Sequence, residues 1–257
     1  MPKKFASLML VLLVATSGVA RAQSADEIVA AADRVRNPGQ PFRVTDTLVE
    51  YVSGKAANKV VLTVHSKIDP ASGQFRTIVR YVEPARDQGK ALLKTGNVLW
   101  FFDPASKSSV RLSPQQRLLG QAASGDVVTV NLARDYKGTK SGEAVIQDAD
   151  RKDRTCWHLD LKPANDGASY GRIEYWVEKG THHPIKGKFY SDSGRLLKIA
   201  YYRKFEEQLG GVRPTETVII DAVDSRLVTR MSFSAYRYQD VPEAWFQREH
   251  LPRLGAE

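Results

Sequence analysis

The residue types that carry chemistry are present in this chain, but they are dispersed. The sequence of 257 residues holds five histidines and a single cysteine. His182 and His183 are adjacent, so in an extended chain their rings point to opposite sides and cannot grip one ion together. Beside Pro184 they read as residues of a surface turn rather than metal ligands. Asp148, Asp150 and Asp153 imitate a calcium loop only loosely, because the glycine at its sixth position and the glutamate at its twelfth are missing. A solvated acidic loop accounts for them. Gly89-Lys90 lacks the upstream glycine of a phosphate loop. Cys156 lies in Thr155-Cys156-Trp157-His158-Leu159, a strand-like run, and is expected to be a buried, inert thiol. Carboxylates are spread along the chain with no spacing that pairs them, so no acid–base constellation emerges, although dispersed groups leave an unusual hydrolase open.

The elements that would position any site are mostly strands. Ser24 and Glu27 form a capping box for a helix carrying Ile28, Val29, Ala32 and Val35 at helical spacing, stopped by Asn37-Pro38-Gly39. The period then changes to two. Val60, Leu62, Val64 and Ile68 share one strand face, and Asp69 to Gly73 turns the chain into Phe75 to Val82. Lys90 to Thr95 and Val98 to Asp103 form a hairpin across Gly96-Asn97. Ser113, Pro114 and the residues Gln115 to Ala123 predict a helix, with a second short one over Asp126 to Arg134. Alternation resumes in seven further strands between Glu143 and Tyr236. Runs of this kind joined by short turns predict an antiparallel meander or barrel in one domain spanning 23–257. Val98-Leu99-Trp100-Phe101-Phe102 and Leu196 to Tyr202 are apolar on both faces, which a sheet wet on one side does not need. They predict a curved sheet whose concave face is covered.

The chain begins with Lys3 and Lys4, an apolar run from Leu8 to Val14, and Ala20-Arg21-Ala22. This is the pattern of a cleavable export signal over 1–22, and the run is shorter than the ~20 residues a membrane span requires. The formal charge of +9 falls by three when Lys3, Lys4 and Arg21 are removed. A mildly positive exported protein suits anionic lipid or an acidic protein better than nucleic acid, and plain solubility explains the charge as well. One cysteine rules out an internal disulfide, so the core alone must hold the fold.

Several segments, in order, resemble the periplasmic LolA-like outer-membrane lipoprotein-sorting family. They are Tyr81-Val82-Glu83-Pro84 through Gly89 to Leu93, running into Val98-Leu99-Trp100-Phe101-Phe102-Asp103-Pro104. Tyr175-Trp176-Val177 follows, then His183-Pro184-Ile185-Lys186, Phe189-Tyr190 and Gly194 to Lys198, and finally Val241-Pro242-Glu243 to Phe246. Gly125-Asp126-Val127-Val128 stands where many relatives carry Gly-Ser-Asp-Phe. The resemblance implies a mainly β fold, an open and strongly curved antiparallel half-barrel with short helices over its concave face. It implies a soluble periplasmic carrier, without cofactor, metal or catalytic residues, that takes a lipid or lipoprotein acyl chain into an apolar cavity. The resemblance further implies an inner-membrane donor, of the resistance-nodulation-division type in some relatives, and an outer-membrane acceptor as partners, with the protein acting as a monomer. Strand faces place Leu62, Val64, Val79, Tyr81, Trp100, Phe102, Tyr175, Val177, Phe189, Ile199, Tyr201, Ile219 and Phe233 as the expected cavity wall. A lipid sensor of the same fold and a lipid-acting envelope enzyme are the competing readings.

Overall fold

The computed structural model describes residues 23–254, so the expected export signal over 1–22 lies outside the described residues. Helix α1 (Ala25–Arg36) opens the chain with the predicted capping box: Ser24 N–H donates to Glu27 Oε2 at 2.7 Å and Glu27 N–H donates to Ser24 Oγ at 3.2 Å. Six strands follow: β1 (Phe42–Val52), β2 (Lys55–Ile68), β3 (Phe75–Glu83), β4 (Ala91–Thr95), β5 (Val98–Asp103) and β6 (Ser108–Leu112). A crossing segment then carries a small hairpin, β7 (Arg117–Leu119) and β8 (Ala122–Ala123), and a single turn of helix, α2 (Leu132–Asp135). The rest is β9 (Tyr136–Gln147), β10 (Asp153–Pro163), β11 (Arg172–Glu178), β12 (Pro184–Tyr190), β13 (Leu196–Gln208), β14 (Gly211–Asp221) and β15 (Leu227–Tyr238), closed by 3₁₀ turns at Glu243–Phe246 and Arg248–Arg253.

Thirteen of these strands make one antiparallel sheet in the order β6-β5-β4-β3-β2-β1-β15-β14-β13-β12-β11-β10-β9. The chain starts in the middle of the sheet, meanders to one edge, crosses over, and meanders back from the other edge until β15 pairs with β1. The sheet is open and strongly bent. Seven strands separate β4 from β11 in this order, which in a flat sheet sets them about 38 Å apart at ~4.8 Å per strand. Yet a methyl group on Gly167, in the β10–β11 turn, would lie 2.5 Å from Asn97 Oδ1 in the β4–β5 turn. The concave face, α1 and the crossing segment share one core that runs from Phe42, Leu48 and Leu62 to Leu159, Tyr175 and Ile219.

Two sequence expectations are corrected here. The helix over Gln115 to Ala123 is the β7–β8 hairpin, and the one over Asp126 to Arg134 is mostly irregular chain leading into the four residues of α2. Good helix formers lose to tertiary contacts: Asp126 turns back to accept from Ala123 N–H at 2.7 Å, and Ser66 Oγ meets Thr129 Oγ1 at 2.6 Å. Strand β1, central to the sheet, is absent from the sequence reading. Its inward face is Phe42, Val44, Asp46 and Leu48, and an aspartate at an apolar position hides the alternation.

Candidate functional site

Between the concave face and the crossing segment lies a cavity of about 1140 Å³, a figure that includes its opening to solvent. Its walls come from α1 (Arg36), β1 (Phe42, Val44), β2 (Val64), the segment from Gly125 to Val130, and the inward residues of β11 to β15, among them Ile173, Ala200, Tyr202, Ile219, Met231 and Phe233. Alternation along each strand puts these side chains on one side, and the bend turns that side inward. The lining is predominantly apolar, which suits a ligand that offers area and asks for few hydrogen bonds.

The cover is fastened by polar contacts. Gln74 braces Asn131 twice, donating from Nε2 to its carbonyl at 3.2 Å and accepting its N–H on Oε1 at 2.8 Å. Asp33 at the end of α1 accepts from Ala133 N–H at 2.8 Å, and Asn37 Nδ2 donates to the Val130 carbonyl at 2.9 Å. Arg36 pairs with Asp33 at 2.5 Å and also donates to Val130. A polar cluster around Lys198 also sits within the wall. Lys198 projects inward from β13 to a short ion pair with Asp126, its ammonium 5.0 Å from the Tyr170 ring centroid. Tyr170 Oη donates to Asp126 Oδ1 at 2.7 Å. Burial pushes the Tyr170 and Tyr136 phenols up, so both are neutral donors at physiological pH. Tyr170 and Lys198 also line a second, more polar cleft with Arg117, Arg195 and Asp221, so this group divides the apolar cavity from a polar opening.

This arrangement has solved relatives. A LolA superfamily protein from Nitrosomonas europaea superposes with a TM-score of 0.79 at 32% identity, over 89% of this chain and 100% of that one. This chain belongs to the LolA superfamily. The same fold recurs at 19% identity and a TM-score of 0.74 in a DUF1329 family protein from Desulfovibrio piger, over 88% of this chain and 97% of the other. It recurs again at 16% identity and a TM-score of 0.74 in a Vibrio parahaemolyticus domain with the provisional description of outer membrane lipoprotein-sorting protein, over 89% and 98%. A family model described only as an uncharacterized protein matches residues 73–253. No curated protein matches.

The thirteen expected wall residues divide. Val64, Phe189, Ile219 and Phe233 line the cavity of this LolA-superfamily chain. Leu62, Val79, Tyr175 and Val177 are on the same side but packed solidly in the core, and Tyr81 packs at its margin. Trp100 and Phe102 are on the opposite face, where the C-terminal residues Val241, Phe246, Leu251 and Leu254 cover them. Their strand is apolar on both faces, so alternation alone could not choose between them and the inward pair Leu99 and Phe101. Ile199 and Tyr201 also face outward, because Lys198, Ala200 and Tyr202 take the inward positions. Here the lysine is the inward residue, satisfied by Asp126.

The sequence reading that no Gly-x-Ser-x-Gly elbow exists is corrected here. Gly167-Ala168-Ser169-Tyr170-Gly171 has the Gly-x-Ser-x-Gly spacing of a hydrolase elbow, and Ser169 lines the cavity. That motif needs a strand-to-helix turn and a nearby base. Here it joins strands β10 and β11. No hydrogen bond joins Ser169 to any of the five histidines, which instead stand against Trp245 (His65, His250), Trp176 (His158), Trp157 (His182) and Phe205 (His183). The glycines have a packing reason: a methyl group on Gly171 would lie 2.6 Å from the Asp192 backbone. Among the described residues no three histidines, cysteines or carboxylates converge as a metal site. Asp148 is a turn residue, accepting from the Asp150 and Lys152 N–H groups at 2.8 and 3.0 Å.

Proposed function

We propose that this chain is a carrier working outside the cytoplasm, which shelters acyl chains of a lipid or lipoprotein in the cavity under the crossing segment. The observation that carries this reading is the apolar cavity itself, walled by strands from both halves of the sheet and covered by chain rather than by a second layer of core. Burying a methylene is worth about 0.8 kcal/mol, so even part of an acyl chain gains several kcal/mol there. The membership in the LolA superfamily and the lipoprotein-sorting description of the Vibrio relative support the same class. The export pattern at the start of the sequence supports a periplasmic setting, with a membrane-bound donor and acceptor as partners.

Native mass spectrometry of protein purified gently from its own compartment tests this. Bound species of lipid or lipoprotein mass that dissociate on activation are expected, and a ligand-free protein that also refuses added fatty acid or phospholipid overturns the carrier. The same protein tests the enzyme reading: Ser169→Ala leaves lipid occupancy unchanged, and release of free fatty acid from an ester by the parent but not by the variant contradicts a purely binding role.

A further inference from the structure

The convex face of β15, β1, β2 and β3 carries two sets of basic residues with different surroundings. The first set is neutralised by the C-terminal tail. Lys67 pairs with Asp240 at 3.0 Å and Glu243 at 2.8 Å, and Arg76 pairs with Glu243 at 2.7 Å. The second set, Arg43, Arg80 and Arg237, has no carboxylate within ion-pairing distance among the described residues.

The register brings this second set together. Arg43 in β1 stands directly opposite Arg237 in β15 on one side and His65 in β2 on the other, and Thr63 next to it on that face is opposite Arg80 in β3. Directly opposed like charges destabilise a sheet, and here they are retained. Arg43 donates to Thr63 Oγ1 at 3.3 Å, Arg237 to Gln239 Oε1 at 3.0 Å, and Arg80 lies 6.0 Å from the Trp245 ring centroid. These contacts orient the guanidinium groups without neutralising their charge. His65, 4% exposed, packs edge-on to Trp245 with ring centroids 5.4 Å apart, and its Nδ1 has no hydrogen-bond partner. Burial and the three arginines together hold its pKa at about 4, so it stays neutral at physiological pH.

We propose that Arg43, Arg80 and Arg237, set around Thr63 and His65, form a phosphate-binding site on the convex face, separate from the lipid cavity. Three guanidinium groups on three adjacent strands offer more donors than two oxygens can use, which matches a tetrahedral oxyanion with three or more free oxygens. A carboxylate has two oxygens and is satisfied by one arginine fork. The phosphate is either free or the terminal monoester of a lipid head group, and both expose three or more oxygens.

Isothermal titration with inorganic phosphate against chloride at matched ionic strength tests the site, alongside flotation with phosphatidic acid vesicles. Saturable phosphate binding is expected, weakened by roughly tenfold or more in Arg43→Gln and in Arg237→Gln and unchanged in Lys55→Gln, which removes an exposed charge elsewhere on the sheet. Because each arginine substitution relieves repulsion, the thermal midpoint in phosphate-free buffer should hold or rise. Arg237, exposed near the end of β15, remains informative if Arg43→Gln misfolds. Vesicle binding lost in the same variants identifies a lipid head group as the source, and vesicle indifference with phosphate binding identifies a free phosphate. Failure to bind either ligand, or equal binding by Arg237→Gln and the parent, overturns the proposal.

Discussion

The sheet has two apolar faces covered by chain, and they are covered differently. On the convex side of β3, β4 and β5 the C-terminal tail lays Val241, Phe246, Leu251 and Leu254 onto Ile78, Ala91, Leu93 and Phe102. That contact is side chain on side chain, with Trp100 and Trp245 packed at its border. On the concave side the crossing segment buries Val127, Val128 and Leu132 in the shared core and is fastened as well by hydrogen bonds and ion pairs to α1, Gln74 and β13, yet beneath it the cavity remains. The tail's large side chains complete a core, whereas the crossing segment, with smaller apolar side chains and polar fastenings, leaves part of the apolar wall open to a ligand.

Truncating a side chain on each side sharpens that contrast. Phe246→Ala removes a buried anchor of the tail and should cost about 3 kcal/mol in urea unfolding, with lipid uptake intact. Phe233→Ala at the cavity wall is only half-buried and beside space already, so its cost in stability should be smaller than that of Phe246→Ala while uptake falls. Equal stability losses in the two variants would erase the distinction.

Asp46 gives a smaller, pH-dependent effect. It is 1% exposed on the concave side of β1, and neither carboxyl oxygen has a partner. Burial raises its pKa well above the ordinary carboxylate value, so the fold holds the neutral acid. Its native state is unpenalised below the unfolded carboxyl pKa near 4, and stability is lost as pH rises towards the folded pKa, at about 1.4 kcal/mol per unit. Asp46→Asn should therefore match the parent near pH 4 and become progressively more stable than it towards pH 8. A difference independent of pH would show that the carboxyl finds a counter-charge.

Cys156 gives the smallest effect. It is fully buried on the convex side with Trp176 and Ile185, and burial pushes its thiol up to about 12. Cys156→Ala should cost roughly 1 kcal/mol and leave uptake unchanged, and the parent thiol should react with a disulfide reagent only on unfolding. Fast labelling of the folded protein would contradict this.

The meander was legible because period-two runs and turn residues repeat along most of the chain, and the capping box of α1 was legible because its two partners are three residues apart. The wall was half legible for a physical reason. Strands such as Val98 to Asp103 are apolar on both faces because both faces are covered, and a one-residue choice exchanges Phe101 for Phe102. Strand β1 was lost to Asp46, and the crossing segment to propensities that its long-range contacts to Gln74, Asp33 and Ser66 override. Lys198 and Asp126 are 72 residues apart in sequence, so no local pattern announces their pairing.

The cavity is tested most directly by filling it. Ala200 lies in the wall, buried on β13, and Ala200→Phe adds a ring to the space an acyl chain would occupy. Binding of a fluorescent fatty acid, measured for the parent, Ala200→Phe and Phe246→Ala at a temperature where all three are folded, separates the two covered faces. The expected result is strong binding by the parent and Phe246→Ala and little by Ala200→Phe. Undiminished binding by Ala200→Phe would place the ligand elsewhere and contradict the carrier reading of this cavity.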